Sequence, residues 1–311
     1  MSKITVVGSF VMDMVARLEE FPKAGQTVLG KSLGIYPGGK GANQAVAARR
    51  LGGDVEMIGC VVKDGNGKTF LDLLRREGIE TSHIKESEEV PTAIAQIQID
   101  QAGENKIVVI PSANHAFTKE DLYAVKEVLS KTKLVVMQLE LEYEVSLEIL
   151  RVCKELEVPV ILNPAPAVKL PKEILGLATY VTPNETELEI LTGQKTETEE
   201  ELYSAAEALL DMGVKTVVAT LGKRGAMIAT AERKQIIEGY RVKAVDTVAA
   251  GDSFNGALAK CIADGKDLAE AVRYANAVGA LAVTKQGAIP SLPTAEEVDE
   301  FLFLVREKIS N

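Results

Sequence analysis

The residues best suited to chemistry stand together in Asp246-Thr247-Val248-Ala249-Ala250-Gly251-Asp252-Ser253-Phe254-Asn255-Gly256, where small side chains lead into a helical pattern with an acid at its mouth. Ala249, Ala250 and Gly251 would let backbone N–H groups approach an anion, and a helix N-terminus favours negative charge. The segment reads as a phosphate cradle. Asp252 has the wrong charge for holding phosphate, so the chemistry open to it is accepting a proton from a hydroxyl that attacks one. The plainer reading is an aspartate capping a helix, where that residue is common.

A second group of candidates lies in Gly38-Gly39-Lys40-Gly41-Ala42-Asn43-Gln44-Ala45. Glycines there permit close approach of a ligand to backbone, and Lys40 stands where a helix begins. Asn43, one turn on, can donate to and accept from vicinal hydroxyls, and Asp13 and Glu140 can accept from them. An isolated carboxylate after a strand is more often solvated or capping. Asn184 and Glu187 in Thr182-Pro183-Asn184-Glu185-Thr186-Glu187 are spaced to share one helix face. Glu187 could then hold water around Mg²⁺, which keeps several waters and binds through one or two carboxylates plus phosphates. An acidic first turn favoured by the helix dipole is the alternative, and Glu185 fits that role. Two decoys can be set aside. Gly67-Lys68-Thr69 looks like the end of a P-loop, but Val62 stands where that motif needs glycine, so a loop opening the helix of Leu71, Leu73 and Leu74 is expected. His83 and His115 lack the paired spacing of a metal site and are expected on the surface or in packing.

The elements that must position these residues follow from periodicity. Short β-branched runs at Ile4 to Val7, Val55 to Val62, Leu134 to Met137, Val158 to Leu162, Tyr180 to Thr182 and Thr216 to Ala219 alternate with helical patterns over 66–77, 144–156, 198–212 and 254–264. This predicts a doubly wound α/β fold with a mostly parallel sheet flanked by helices. Ligands gather beyond the carboxyl ends of such strands, and Asp13, Glu140, Asn163 and Asn184 each follow an apolar run. Gly52-Gly53, Gly78, Gly193 and Gly213 mark helix ends. Two stretches break the alternation. Thr92 to Asp100 puts Ala93, Ala95, Ile97 and Ile99 on one face, turns through Gly103 and returns over Ile107 to Ile110 as a hairpin. Residues 14–37 also contain strand-like pieces without a helix.

With 311 residues, 46% hydrophobic and 26% charged, the chain can bury one large core or two modest ones. A formal net charge of -10 argues against nucleic-acid or anionic-membrane surfaces, which call for basic patches. Cys60, Cys153 and Cys261 form no C-x-x-C pair, and Met1-Ser2-Lys3 runs straight into a strand with no secretory leader, so a reducing cytoplasm is expected. No apolar run approaches the ~18 to 20 residues that span a bilayer.

The segments at 38–45 and 246–252 resemble the two signatures of the ribokinase family, the PfkB-type carbohydrate kinases. Met137-Gln138-Leu139-Glu140, Asn163-Pro164-Ala165-Pro166, 182–187 and Thr220-Leu221-Gly222-Lys223-Arg224-Gly225 stand between them in the family's order. The resemblance spans almost the whole chain, read as a single domain over 1–311. It implies transfer of a phosphoryl group from ATP to the primary O5 hydroxyl of a pentose, D-ribose first, with Asp252 as base and Ala249, Ala250 and Gly251 as cradle. It also implies sugar contacts at Asp13, Gly39, Lys40, Asn43 and Glu140, and ATP contacts at Asn184, Thr220, Gly222, Gly225, Gly251 and Asn276. The resemblance further implies Mg²⁺ held through water by Glu187, and a monovalent cation, K⁺, surrounded by Asp246, Val248, Ala282, Lys285, Gly287 and Ser291, largely through carbonyl oxygens. By the same resemblance the pieces at 14–37 and 92–110 are expected to form a small β-sheet lid over the sugar, paired with a second subunit's lid in a homodimer. A bare two-stranded hairpin is marginal in water, which agrees with docking or pairing.

Val11 departs from the family, which usually has asparagine there. Valine leaves a buried sugar hydroxyl without a partner, costing about 1 to 3 kcal/mol, whereas a deoxy carbon would sit comfortably. A 2-deoxyribose kinase is therefore the rival, followed by a nucleoside kinase, for which 5% aromatics and no Trp offer little base-stacking wall. A noncatalytic sugar-binding regulator could shed Asp252 and Gly251, and both are present. A dinucleotide-binding dehydrogenase would need G-x-G-x-x-G where Gly8-Ser9-Phe10 stands.

Overall fold

A computed structural model describes residues 3–310. In chain order its strands are β1 (Lys3–Val7), β2 (Val11–Arg17), β3 (Ser32–Gly38), β4 (Asp54–Val62), β5 (Ile84–Ser87), β6 (Ile94–Ile99), β7 (Asn105–Ile110), β8 (Leu134–Met137), β9 (Val160–Leu162), β10 (Tyr180–Val181), β11 (Thr216–Thr220), β12 (Gly225–Ala229) and β13 (Lys234–Glu238). The helices are α1 (Lys40–Arg50), α2 (Gly65–Arg76), α3 (Lys119–Ala124), α4 (Lys126–Ser130), α5 (Tyr143–Glu155), α6 (Lys172–Leu175), α7 (Glu185–Thr192), α8 (Glu199–Asp211), α9 (Ala250–Ala263), α10 (Leu268–Ala282) and α11 (Ala295–Ser310).

Nine strands form one sheet in the order β13-β12-β11-β10-β9-β8-β1-β4-β5. It is parallel from β5 to β11 and closes with two antiparallel strands, β12 and β13. Continuous apolar runs suit strands buried on both faces. Successive residues point to opposite sides, so Val6 joins the core under α1, α9 and α10 while Val7 joins the core under α5 and α8. Strand order reverses between β1 and β8, the kind of point where α/β sheets open a crevice for ligands.

A separate sheet, β3-β2-β6-β7, stands over that crevice. The β6–β7 pair is the expected hairpin, turned through Gly103. Here β2 starts at Val11 and β3 ends at Gly38, so the sheet reaches slightly beyond 14–37 at both ends. Asp13 is thereby corrected: it sits within β2, opposite Tyr36 and Ala95, rather than just past the end of a strand. Gly67-Lys68-Thr69 is likewise inside the first turn of α2, because the Asp64 side chain accepts the Gly67 N–H at 2.7 Å and starts the helix at Gly65. The helix of 254–264 begins earlier, at Ala250, which puts Asp252 in its first turn. Positive φ at Gly52, Gly78, Gly193 and Gly213 matches the expected helix ends. Met1 and Ser2, on which the leader expectation partly rests, lie outside the described residues.

Candidate active site

The crevice is assembled where β1 and β8 hand over to loops. Gly39 has a φ of 87°, and a Cβ on it would lie 2.6 Å from the Val11 nitrogen, so only glycine lets the start of α1 press against the β1–β2 connection. Gly39 offers α1 no side-chain cap. Glu140, beyond β8, supplies one: its carboxylate accepts the Lys40 N–H at 3.1 Å and the Ser9 hydroxyl, and its other oxygen lies 3.9 Å from Lys40 Nζ. An acid at a helix N-terminus also complements the dipole. Glu140 therefore binds β1, β8 and α1 together while remaining partly exposed to the crevice.

Asp252 reaches the same place from α9. Its Oδ2 accepts from Asn43 Nδ2 at 2.8 Å and its Oδ1 from Gln44 Nε2 at 2.9 Å. The two helices come this close because their contact is made of small residues: a Cβ on Gly256 would lie 2.6 Å from Ala47 Cβ and 2.8 Å from Gln44 O. Asn43 Oδ1 is buried with no hydrogen-bond partner, an acceptor fit for a ligand hydroxyl. Gln44, Gln138, Asn163 and Ser9 had no role assigned from sequence. Their signal was polarity in an apolar context, since Gln44 stands among alanines and Gln138 ends a run of Val and Met.

Four carboxylates and one ammonium share the crevice. Burial, together with Glu140 and Asp252 and against the opposing pull of Lys40, pushes the Asp13 carboxyl up to about 6. Burial works against the charge on Lys40, but Asp252, Glu140, Glu187 and Asp13 outweigh it and its pKa stands above that of an ordinary lysine. Burial also raises Glu187, held back by the Asn184 N–H and Lys40 and helped by Asp252. Shifted groups converging on a crevice are typical of chemistry.

On the other side of the α9 N-terminus opens a cleft of about 970 Å³, lined by Thr220, Gly222, Gly225, Gly251, Asn276 and Tyr240 among others. A Cβ on Gly251 would meet nothing within 4 Å, so an anion has room against the helix. As first-turn donors, the Gly251 and Asp252 N–H groups have no carbonyl within the helix. Ala249 holds the left-handed conformation at the N-cap with φ 58°, and the Ala250 N–H is spent on Thr247 O at 3.3 Å, which shifts the expected cradle one residue toward Asp252. Gly225 is set by fold as well as cleft, for a Cβ there would lie 2.1 Å from Ile237 O across the β12–β13 pair. Asn276 Nδ2 donates to Ile237 O at 3.0 Å and Glu238 O at 3.2 Å, so it braces the cleft wall.

Asn184 and Glu187 do not lie side by side within a helix. Asn184 is the N-cap of α7, and the two form a capping box, each side chain accepting the other's N–H at 2.8 Å. Glu187 Oε2 is used there and Oε1 is left. Glu185 instead pairs with Arg224 at 2.6 Å. Among the described residues no group of three His, Cys, Asp or Glu could hold a metal by itself. One carboxylate oxygen with water fits an ion held mainly by nucleotide phosphates. His83, read as a surface or packing residue, pairs through Nδ1 with the fully buried Glu56, which also meets Lys3 at 2.5 Å.

The residues expected around a monovalent cation fall in two loops tied by Asp246, whose carboxylate accepts from Val248 N and Gly287 N at 3.0 Å each. Val283 O accepts from Val245 N at 2.7 Å. Lys285 turns its ammonium to Glu297, and the Ser291 hydroxyl donates to Ala288 O. What Val248, Ala282, Lys285, Gly287 and Ser291 can offer an ion is therefore carbonyl oxygen, a donor set that suits a hard cation.

The profile of the pfkB family carbohydrate kinases matches residues 1–295. The ribokinase of Haemophilus influenzae is 40% identical over 96% of this chain and 98% of its own length. The deoxyribokinase of Salmonella typhi is 34% identical over 97% and 99%. The structure of Arabidopsis thaliana ribokinase complexed with ribose and ATP superposes with a TM-score of 0.91 at 31% identity, covering 97% of this chain and 99% of that one.

Proposed function

The chain belongs to the pfkB family of carbohydrate kinases, phosphotransferases with an alcohol acceptor, and on that premise we propose that it transfers the γ-phosphoryl group of ATP to the O5 hydroxyl of D-ribose. One observation carries this reading. Asp252 is held at the N-terminus of α9 with the nucleotide-sized cleft on one side and Asp13, Lys40, Asn43 and Glu140 on the other. Asp13, Gly39, Lys40, Asn43 and Glu140 bind the sugar. Asn184, Thr220, Gly222, Gly225 and Asn276 face ATP, and Glu187 is the carboxylate that would hold Mg²⁺ through water.

A carboxylate is too weak a base to strip an alcohol in advance, so the proton passes to Asp252 as the new P–O bond forms and the bond to ADP breaks. The N–H groups of Gly251 and Asp252, with Ala249 and Ala250 shaping the turn, stabilise charge on the transferring group. Mg²⁺, when bound, neutralises phosphate charge. K⁺ in the loops around Asp246 and Gly287 would order the cradle beside it without touching either substrate. The chain acts as one domain over 1–311, with insertions near 14–37 and 92–110 forming a lid that excludes water and pairs with the lid of a second copy. A reducing cytoplasm suits Cys60, Cys153 and Cys261, whose buried thiols are pushed up to about 11, 12 and 11. Among the described residues no helix is long and apolar enough to cross a membrane.

ATP consumption measured across ribose, 2-deoxyribose, fructose and nucleosides tests the reading. Ribose should give the highest kcat/KM, and a preference for any other acceptor overturns it. Val11 keeps 2-deoxyribose as the second reading: it shares a strand face with Asp13 and packs on Ala93 and Ala95. Val11→Asn should raise the ribose to deoxyribose ratio of kcat/KM by about 5- to 100-fold, from a hydrogen bond worth about 1 to 3 kcal/mol. An unaltered ratio would mean that position 11 does not read C2.

A further inference from the structure

We propose that Gln44 is a positioning residue for the base, its amide fixing the Asp252 carboxylate and itself oriented by Gln138. This rests on Asp252 being the base. Gln44 is 1% exposed, yet both ends of its amide are engaged. Its Oε1 accepts from Gln138 Nε2 at 2.6 Å, and its Nε2 donates to Asp252 Oδ1 at 2.9 Å and to Asn163 Oδ1 at 3.0 Å. The two ends of an amide are not interchangeable. With Gln138 donating to the oxygen, the nitrogen must face Asp252. Asn163 agrees with that polarity, since its Nδ2 donates to Thr182 O at 3.3 Å and leaves Oδ1 to accept. Gln138 is in turn confined by the chain beside it, where a Cβ on Gly8 would lie 2.2 Å from Gln138 Oε1.

The relay delivers a donor to one carboxylate oxygen while Asn43 delivers a donor to the other. Two donors, one on each oxygen, hold the Asp252 carboxylate in one rotamer, aimed at the hydroxyl whose proton it takes.

Three variants test this beside Asp252→Asn, with kcat and both KM values measured on the full chain. Gln44→Met keeps the volume and removes the amide, and Gln44→Glu keeps an acceptor for Gln138 and presents no donor to Asp252. Both should lower kcat about 10- to 100-fold, as losses of orienting partners do, with each KM within about 3-fold of the parent. A residue that only fills space would leave kcat at the parent value in Gln44→Met, which keeps the volume. Gln138→Met should lower kcat by a smaller factor and add nothing on top of Gln44→Met, because the two act through one relay. Unchanged kcat in the Gln44 variants, with Asp252→Asn inactive, overturns the role of Gln44. Full turnover in Asp252→Asn overturns the assignment of the base instead, and full additivity of Gln44→Met with Gln138→Met overturns the relay.

Discussion

Asp13 shows at the level of one residue how binding and stability diverge. Its folded pKa of about 6 lies above the ordinary aspartate value of 3.8, because it is buried beside Glu140 and Asp252. The native state therefore binds more protons than the unfolded chain between those values, and stability falls as pH rises from about 4 to about 6. Asp13→Asn should raise the melting temperature of the free protein at pH 8, and the gain should disappear near pH 3.5. The same variant should weaken sugar binding, since an amide cannot replace both acceptors of a carboxylate. Melting curves of both proteins at the two pH values check the first statement, and equal gains at both would contradict it. Asp252, Lys40, Asn43 and Glu140 could be singled out in the sequence because their types suggest chemistry and the order of their segments resembles a family's, and the structure brings them to one crevice. Gln44 and Gln138 were not, since their importance lies in which atom faces which, and that exists only once α1, α9 and β8 are packed. The cation loops were illegible for another reason: carbonyl oxygens belong to every residue.

Elements add precision that no single residue has. The contact between α1 and α9 is built from Gly256, Ala47 and Ala48, and it sets the distance from Asn43 and Gln44 to Asp252. Gly256→Ala introduces a methyl that must displace backbone at Ala48 N and Gln44 O, both 2.8 Å from it. Overpacking of this kind costs roughly 1 to 3 kcal/mol. The helices should part slightly, with a lower melting temperature and a kcat reduced by about tenfold or more, since misplacement of about 1 Å is expensive in catalysis. A normal kcat in a destabilised protein would show that the crevice tolerates the shift. Periodicity revealed most of the strands and helices because their cores repeat every two or 3.6 residues. It missed the true starts of α2 and α9, where capping by Asp64 and a left-handed Ala249 decide the boundary rather than hydrophobicity. It also hid the strand nature of Asp13, because β2 carries a charge on one face and buries Met12 on the other.

Across the whole molecule, strand order reverses between β1 and β8, and the second sheet, β3-β2-β6-β7, brings Asp13 to the crevice that opens there, so a lid made of it would govern water and sugar together. That sheet is thin and leaves large apolar side chains in solvent on both faces. Ile107 and Val109 project to the side of Asp13, and Leu33, Ile35, Val108 and Ile110 to the other. Exposed apolar faces and free edges at β3 and β7 are liabilities that a second copy would cover. Neighbouring residues of a strand point to opposite faces, so Ile107→Glu with Val108→Glu places a charge on each face of β7 at once. The doubly substituted protein should be a monomer by analytical ultracentrifugation where the parent is a dimer. Its KM for ribose should rise several-fold as the lid loses its support, while its KM for ATP, bound beyond α9, should hold. The apolar cores that carry the large sheet lie elsewhere, so the melting temperature of its main transition should change little. A monomeric parent, or a charged variant that remains dimeric with an unaltered ribose KM, would mean that the lid works alone and that its apolar faces close on the sugar rather than on a partner.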